Sequence, residues 1–206
     1  MTTLSKIIEH KIVGIIRGIP PSDVIKIVAA LYDGGIKIVE VTLNSPGALQ
    51  VIEKLNSIYK NKMLIGAGTV LDKADAKAAI LAGAQFLISP VTVIEVIKAA
   101  KDAGIVSIPG AYTATEILLA HKSGADIVKV FPAQDAAYIK NMLAPLNHIL
   151  LMPTGGVNLT NIKSFKAVGA TAYGVGSSLV DNKVKVNELY LQDLTAKARS
   201  FIQAIQ

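Results

Sequence analysis

A chain of 206 residues with 51% hydrophobic and 17% charged residues reads as a globular protein, and its length suits one domain spanning residues 1–206. Its net charge of +6 sits on lysines scattered singly (Lys26, Lys54, Lys73, Lys77, Lys98, Lys101), not in an aromatic-studded stripe. That argues against a nucleic-acid partner and for a solvated basic surface that draws in small anions. The absence of cysteine excludes disulfides and thiolate metal sites.

The N-terminal stretch MTTLSKIIEHK mixes acid and base in an amphipathic pattern, which suits a short helix and not a signal peptide. No apolar run is long enough for a bilayer, so a cytoplasmic protein without a membrane partner is expected. From there the chain repeats one rhythm: a short apolar run ending in a polar residue or glycine, then an amphipathic stretch. The runs are Ile12–Arg17, Ile38–Leu43, Leu64–Val70, Phe86–Pro90, Val106–Gly110, Ile127–Pro132, Ile149–Thr154 and Ala172–Ser177. Between them, Ser22–Tyr32 predicts a helix capped by Ser22. Asp72–Leu81, Thr92–Lys101, Thr113–Lys122 and Asn158–Ala167 each open on a candidate cap. Gly35, Gly83, Gly104, Gly124 and Gly169 stand where such helices would close.

Eight strands alternating with helices predict a parallel sheet, and their even spacing predicts a closed (β/α)₈ barrel of the TIM type. The first run ends Ile16-Arg17-Gly18, without the glycine pattern of a dinucleotide fold. Aromatics are only 5% and tryptophan is absent, so the core is aliphatic, as in buried parallel sheets.

In such a barrel the chemistry sits at the carboxyl ends of the strands. Lys129 stands out there, sharing a face with Ile127 and Phe131. An apolar pocket would lower its pKa and free the amine to attack a ketone. The other reading is an outward lysine whose amine snorkels to water. Glu40, on one face with Thr42 and Asn44, fits either a general acid/base or a counter-ion for Arg17 or Lys129. Arg17 offers a planar fork for a carboxylate, and Thr69 a hydroxyl beside it, unless Thr69 is only a β-branched strand residue. Gly155-Gly156 and Gly176-Ser177 end the last two runs. Loops there often bind phosphate through backbone N–H groups and a helix N-terminus, although plain turns would look the same. None of the three histidines ends a strand, and Glu40 is the one strand-end carboxylate, so no metal site is expected.

These residues resemble the family of 2-keto-3-deoxy-6-phosphogluconate and 4-hydroxy-2-oxoglutarate aldolases, with its relative acting on the phosphogalactonate epimer. The matching stretches are Gly14–Gly18, Val39–Leu43, Ile65–Val70, Ile108–Gly110, Val128–Ala133, Pro153–Val157 and Gly174–Ser177, in order along nearly the whole chain. The resemblance implies a class I aldolase that cleaves a phosphorylated keto acid to pyruvate and glyceraldehyde 3-phosphate, with the gluconate epimer as the main expectation and the galactonate epimer as the alternative. Lys129 would form the Schiff base and Glu40 would move protons. Arg17 and Thr69 would hold the carboxylate. Gly155, Gly156, Gly176 and Ser177 would hold the phosphate, and Pro90, Gly110, Phe131 and Thr154 would shape the pocket. No cofactor is implied, and the assembly implied is a homotrimer. Leu43-Asn44-Ser45-Pro46 looks like the galactonate branch, whereas Pro153-Thr154-Gly155-Gly156 looks like the gluconate branch. A phosphosugar epimerase or isomerase and a metabolite sensor on the same barrel are the competing readings from residues alone.

Overall fold

The computed structural model describes residues 1–206. Helix α1 (Thr3–His10) leads into strand β1 (Ile12–Ile16), and helices then alternate with strands: α2 (Pro21–Asp33), β2 (Ile38–Thr42), α3 (Ala48–Tyr59), β3 (Leu64–Gly68), α4 (Lys73–Leu81), β4 (Phe86–Ile88) and α5 (Ile94–Asp102). The second half continues with β5 (Val106–Ile108), β6 (Gly110–Ala111), α6 (Ala114–Lys122), β7 (Val128–Val130), α7 (Ala136–Leu143), β8 (Leu151–Pro153), α8 (Ile162–Ala167), β9 (Tyr173–Val175) and α9 (Glu188–Ile205).

All strand pairs are parallel. Six strands form one sheet in the order β5-β4-β3-β2-β1-β9, and three form another in the order β6-β7-β8. The expected fifth run is therefore two short strands, because Pro109 between them has no N–H to give to a ladder. At the other seam a single parallel bridge, Thr154 to Gly174, links β8 to β9. The arrangement is barrel-like, with pairing interrupted at these two places.

Residue parity sorts the core. Alternate strand residues Val13, Ile38, Leu64, Phe86, Val106, Ile127 and Met152 form one buried cluster inside the sheet, and Ile7 of α1 packs among them. The intervening residues, such as Val39, Val41, Ile65, Ala67 and Val128, join a larger cluster beneath the helices. Gly66 leaves room for the Phe86 ring, which a Cβ there would approach to 2.3 Å.

Helix starts follow side-chain chemistry with three departures from expectation. Asp72 accepts from the Asp75 N–H at 2.8 Å, and Thr113 with Glu116 forms a capping box. By contrast, α2 begins at Pro21, ahead of Ser22, because proline is suited to the first helical turn. α5 begins at Ile94, since the Thr92 hydroxyl donates instead to the Gly110 carbonyl at 2.9 Å. α8 begins only at Ile162, because Asn158 organises a turn before it. Gly35, Gly83, Gly104, Gly124 and Gly169 all have positive φ just past a helix end, as expected.

Ile7 is fully buried and plugs the amino-terminal end of the strand interior. Ile7→Ala should lower unfolding free energy by about 2–5 kcal/mol in a urea titration, the usual range for a large-to-small core change; a change under about 1 kcal/mol would mean the plug is dispensable.

Candidate active site

The strands deliver their polar residues to one end. Arg17, Thr69, Phe131, Thr154 and Gly176 each follow the last residue of a strand, and Pro90 lies two residues past the end of β4. Lys129 and Glu40 sit one step deeper, at the centre of β7 and within β2. Lys129 is 4% exposed and Glu40 is wholly buried. The outward, snorkelling arrangement of Lys129 is thereby overturned, since its amine lines an inner cavity 5.1 Å from the Phe131 ring centre.

That cavity has a volume of about 570 Å³. It gathers Arg17, Lys129, Phe131 and Thr154 with the two glycine loops Gly155-Gly156 and Gly176-Ser177. Glu40, Thr69, Pro90 and Gly110 do not line it directly. Glu40 lies behind it, against Gly68, where an added Cβ would come within 2.8 Å of the carboxyl carbon. Thr69 is tied in through Arg17, whose Nη2 donates to its hydroxyl at 3.3 Å. Gly110 pairs in register with Lys129, and the Pro90 carbonyl fills the space a Cβ at Gly110 would occupy.

Burial governs the electrostatics. It pushes the Glu40 pKa up, against the opposing pull of the Lys129 and Arg17 cations. It pushes the Lys129 pKa down; Glu40 opposes the shift and Arg17 adds to it. Both shifts run toward the neutral form of the group. Glu40 makes no direct ion pair with Arg17 or Lys129, although both cations act on its carboxyl from a distance. Both its oxygens are buried without a hydrogen-bond donor, a costly state that usually signals a task. Strain adds to this picture. Thr69 has φ +57°, unusual for a β-branched residue, which costs on the order of 1–3 kcal/mol.

Two expectations need correction. Asn44 does not share the inward face of Glu40 and Thr42, because β2 ends at Thr42 and the Ser45 N–H turns back to the Thr42 carbonyl; Asn44 is exposed. No helix N-terminus meets the first glycine loop either, since α8 starts six residues after Gly156. Gly155 and Gly156 have φ of +81° and +83°, and a Cβ at Gly155 would reach 3.0 Å from the Phe131 ring.

Sequence reading missed Asn158, Ser178, Asn182 and Lys183, which also line the cavity. It missed a double anchor on one peptide as well. The Arg17 carbonyl accepts from Asn182 Nδ2 at 3.2 Å, and the next N–H, that of Gly18, donates to Ser45 Oγ at 2.8 Å. All of these lie in loops, where periodicity carries no signal.

The family described as "Aldolase: KDPG and KHG aldolase" matches residues 4–194. The chain belongs to this family. The 2-dehydro-3-deoxy-6-phosphogalactonate aldolase of Escherichia coli (strain K12) is 35% identical over 198 residues, 95% of this chain and 96% of that protein. The 2-dehydro-3-deoxy-phosphogluconate aldolase of Pseudomonas aeruginosa is 35% identical over 163 residues, 78% and 74% of the two chains. Among solved structures, the KDPG aldolase of Legionella pneumophila with pyruvate captured at low pH as a covalent carbinolamine intermediate superposes with a TM-score of 0.86 at 27% identity, covering 97% of this chain and 98% of that one. This KDPG/KHG-family chain is thus an enzyme, a carbon–carbon lyase of the class I aldolases, which sets aside the epimerase and sensor alternatives. No helix is long and apolar enough to cross a membrane.

The raised Glu40 pKa has a stability consequence. The unfolded chain ionises this carboxyl in the ordinary range, while the fold keeps it protonated to higher pH. Its stabilising contribution is therefore complete below that range and is lost as pH rises through the raised pKa. The melting temperature of the native protein minus that of Glu40→Gln should fall as pH rises above the ordinary carboxyl range of about pH 4. A difference that stays level as pH rises would contradict the burial account.

Proposed function

We propose that Lys129 is the Schiff-base nucleophile and that the substrate is a 2-keto-3-deoxy-6-phospho sugar acid of the galactonate series, cleaved to pyruvate and glyceraldehyde 3-phosphate. The observation that carries this reading is a buried lysine of lowered pKa at a cavity wall, with an undonated buried carboxyl behind it.

Neutral Lys129 Nζ adds to the C2 carbonyl and gives a carbinolamine. Glu40, whose burial favours the protonated form, passes a proton through a bridging water to the departing hydroxyl, which leaves as water and produces the iminium. The carboxylate so formed takes the C4 hydroxyl proton through the same water relay as the C3–C4 bond breaks. The bonding pair moves to C3 and into the iminium, yielding an enamine and the aldehyde. Protonation at C3 and addition of water then release pyruvate and regenerate Lys129. The iminium is the electron sink, so the scheme calls on no added group. Arg17, supported by Thr69, holds the carboxylate through its planar fork. Gly155, Gly156, Gly176 and Ser177 take the phosphate, Phe131 and Thr154 shape the space between, and Pro90 and Gly110 back the pocket beside Lys129.

The galactonate assignment replaces the gluconate expectation. It is supported by the extent of the match to the Escherichia coli galactonate enzyme, by a second such relative from Rhizobium meliloti at 34% identity, and by the Leu43–Pro46 turn. The Pro153-Thr154-Gly155-Gly156 cue points the other way but covers far less of the chain than the match to the Escherichia coli enzyme. We read the two sheets as one closed eight-position barrel in a single domain, assembled as a homotrimer.

Borohydride with pyruvate should leave a reduced adduct on Lys129, located by peptide mass mapping, and Lys129→Ala should neither trap nor turn over. Glu40→Gln should lower kcat by about 10²–10⁴-fold, the range for a general acid–base group. Trapping on another lysine, or full turnover by Lys129→Ala, would defeat the mechanism. Cleavage assays on both epimers test the substrate: a higher kcat/KM for the gluconate epimer would reverse that assignment.

A further inference from the structure

The loop after β8 is shaped by side chains on the side of α8. The Gly156 carbonyl accepts two amide bonds, from Asn161 Nδ2 at 2.9 Å and from Asn158 Nδ2 at 3.0 Å. The two asparagines also brace each other, with the Asn158 N–H donating to Asn161 Oδ1 at 2.8 Å. One residue on, the Val157 carbonyl accepts from the Ser178 hydroxyl at 2.6 Å, which ties this loop to the one after β9.

A trans peptide is planar, and its N–H points opposite to its C=O. The peptide between Gly156 and Val157 is trans, so holding the Gly156 carbonyl toward the asparagines turns the Val157 N–H away from them. That N–H, like those of Gly155, Gly156, Ser177 and Ser178, donates to no backbone acceptor, and all five residues line the cavity. Asn161 does not line it.

We propose that Asn161 is a positioning residue for the anion end of the site. Through the Gly156 carbonyl, and together with Asn158, it fixes the backbone that presents free N–H groups to the phosphoryl oxygens. A donor set held in place before binding spares the substrate the work of ordering a loop. The inference rests on the proposed function and deepens it, because it names what makes a phosphorylated substrate preferred.

The test uses two variants. Asn161→Ala removes both arms of the amide, and Asn161→Asp keeps the acceptor for the Asn158 N–H while losing the donor to Gly156. Both should raise KM for the phosphorylated substrate about tenfold, the equivalent of roughly one hydrogen bond, with kcat within about twofold. Competitive inhibition by inorganic phosphate should weaken in parallel. KM for the unphosphorylated analogue, and pyruvate trapping on Lys129, should not move. An unchanged preference for the phosphorylated substrate in both variants would overturn the proposal. So would an equal loss on both substrates, which is what a merely structural residue would give. A native enzyme that traps pyruvate but shows no preference for the phosphorylated substrate would overturn the phosphate reading beneath it as well.

Discussion

The structure turns on two ionisable groups largely withdrawn from water, one at the cavity wall and one behind it. Lys129 and Glu40 rise from the apolar interior of the strands, and the low polarity around them drives each toward its uncharged form. Much of the nearby sequence accommodates that placement. Gly68 has no side chain because the Glu40 carboxyl occupies the space. Gly110 gives way to the Pro90 backbone beside Lys129. Thr69 accepts an unfavourable backbone angle at the point where its hydroxyl meets Arg17. A protein selected only for stability would fill this volume with aliphatic side chains and relax all three positions.

The opposite end of the cavity works differently. There the polarity comes from main-chain N–H groups on two glycine-containing loops, fixed by asparagine and serine side chains. On the proposed function, the cavity has a chemical end made of side chains and a recognition end made of backbone. The first depends on desolvation and the second on rigidity, so the two are open to separate change.

Much of this was legible in the residues themselves. A lysine inside Ile127-Val128-Lys129-Val130-Phe131 and a glutamate inside Ile38-Val39-Glu40-Val41 are conspicuous, because a charge in an apolar strand asks for a reason. The alternation of helix and strand was equally plain, and so were the caps at Asp72 and Thr113. What escaped had no period to betray it. Pro109 broke the fifth strand without altering its apolar character. Asn44 looked inward only if β2 ran two residues longer than it does. Asn158 reads only as a helix cap, and Asn161 and Ser178 are ordinary loop residues in sequence; their importance lies in bonds that only the folded chain forms. The choice between epimers stayed open for a related reason: the Leu43–Pro46 turn and the Thr154–Gly156 loop each carry part of the signal, and they disagree.

The helix at the start of the chain has a practical corollary. α1 closes the amino-terminal end of the strands through Ile7, whereas every cavity residue named above comes from the carboxyl-terminal end. A surface or scaffold attached ahead of Thr3 would therefore hold the molecule by its floor and leave the mouth facing solution. The two ends of the strands are separable as handle and tool, and immobilisation through the amino terminus is the orientation the architecture favours.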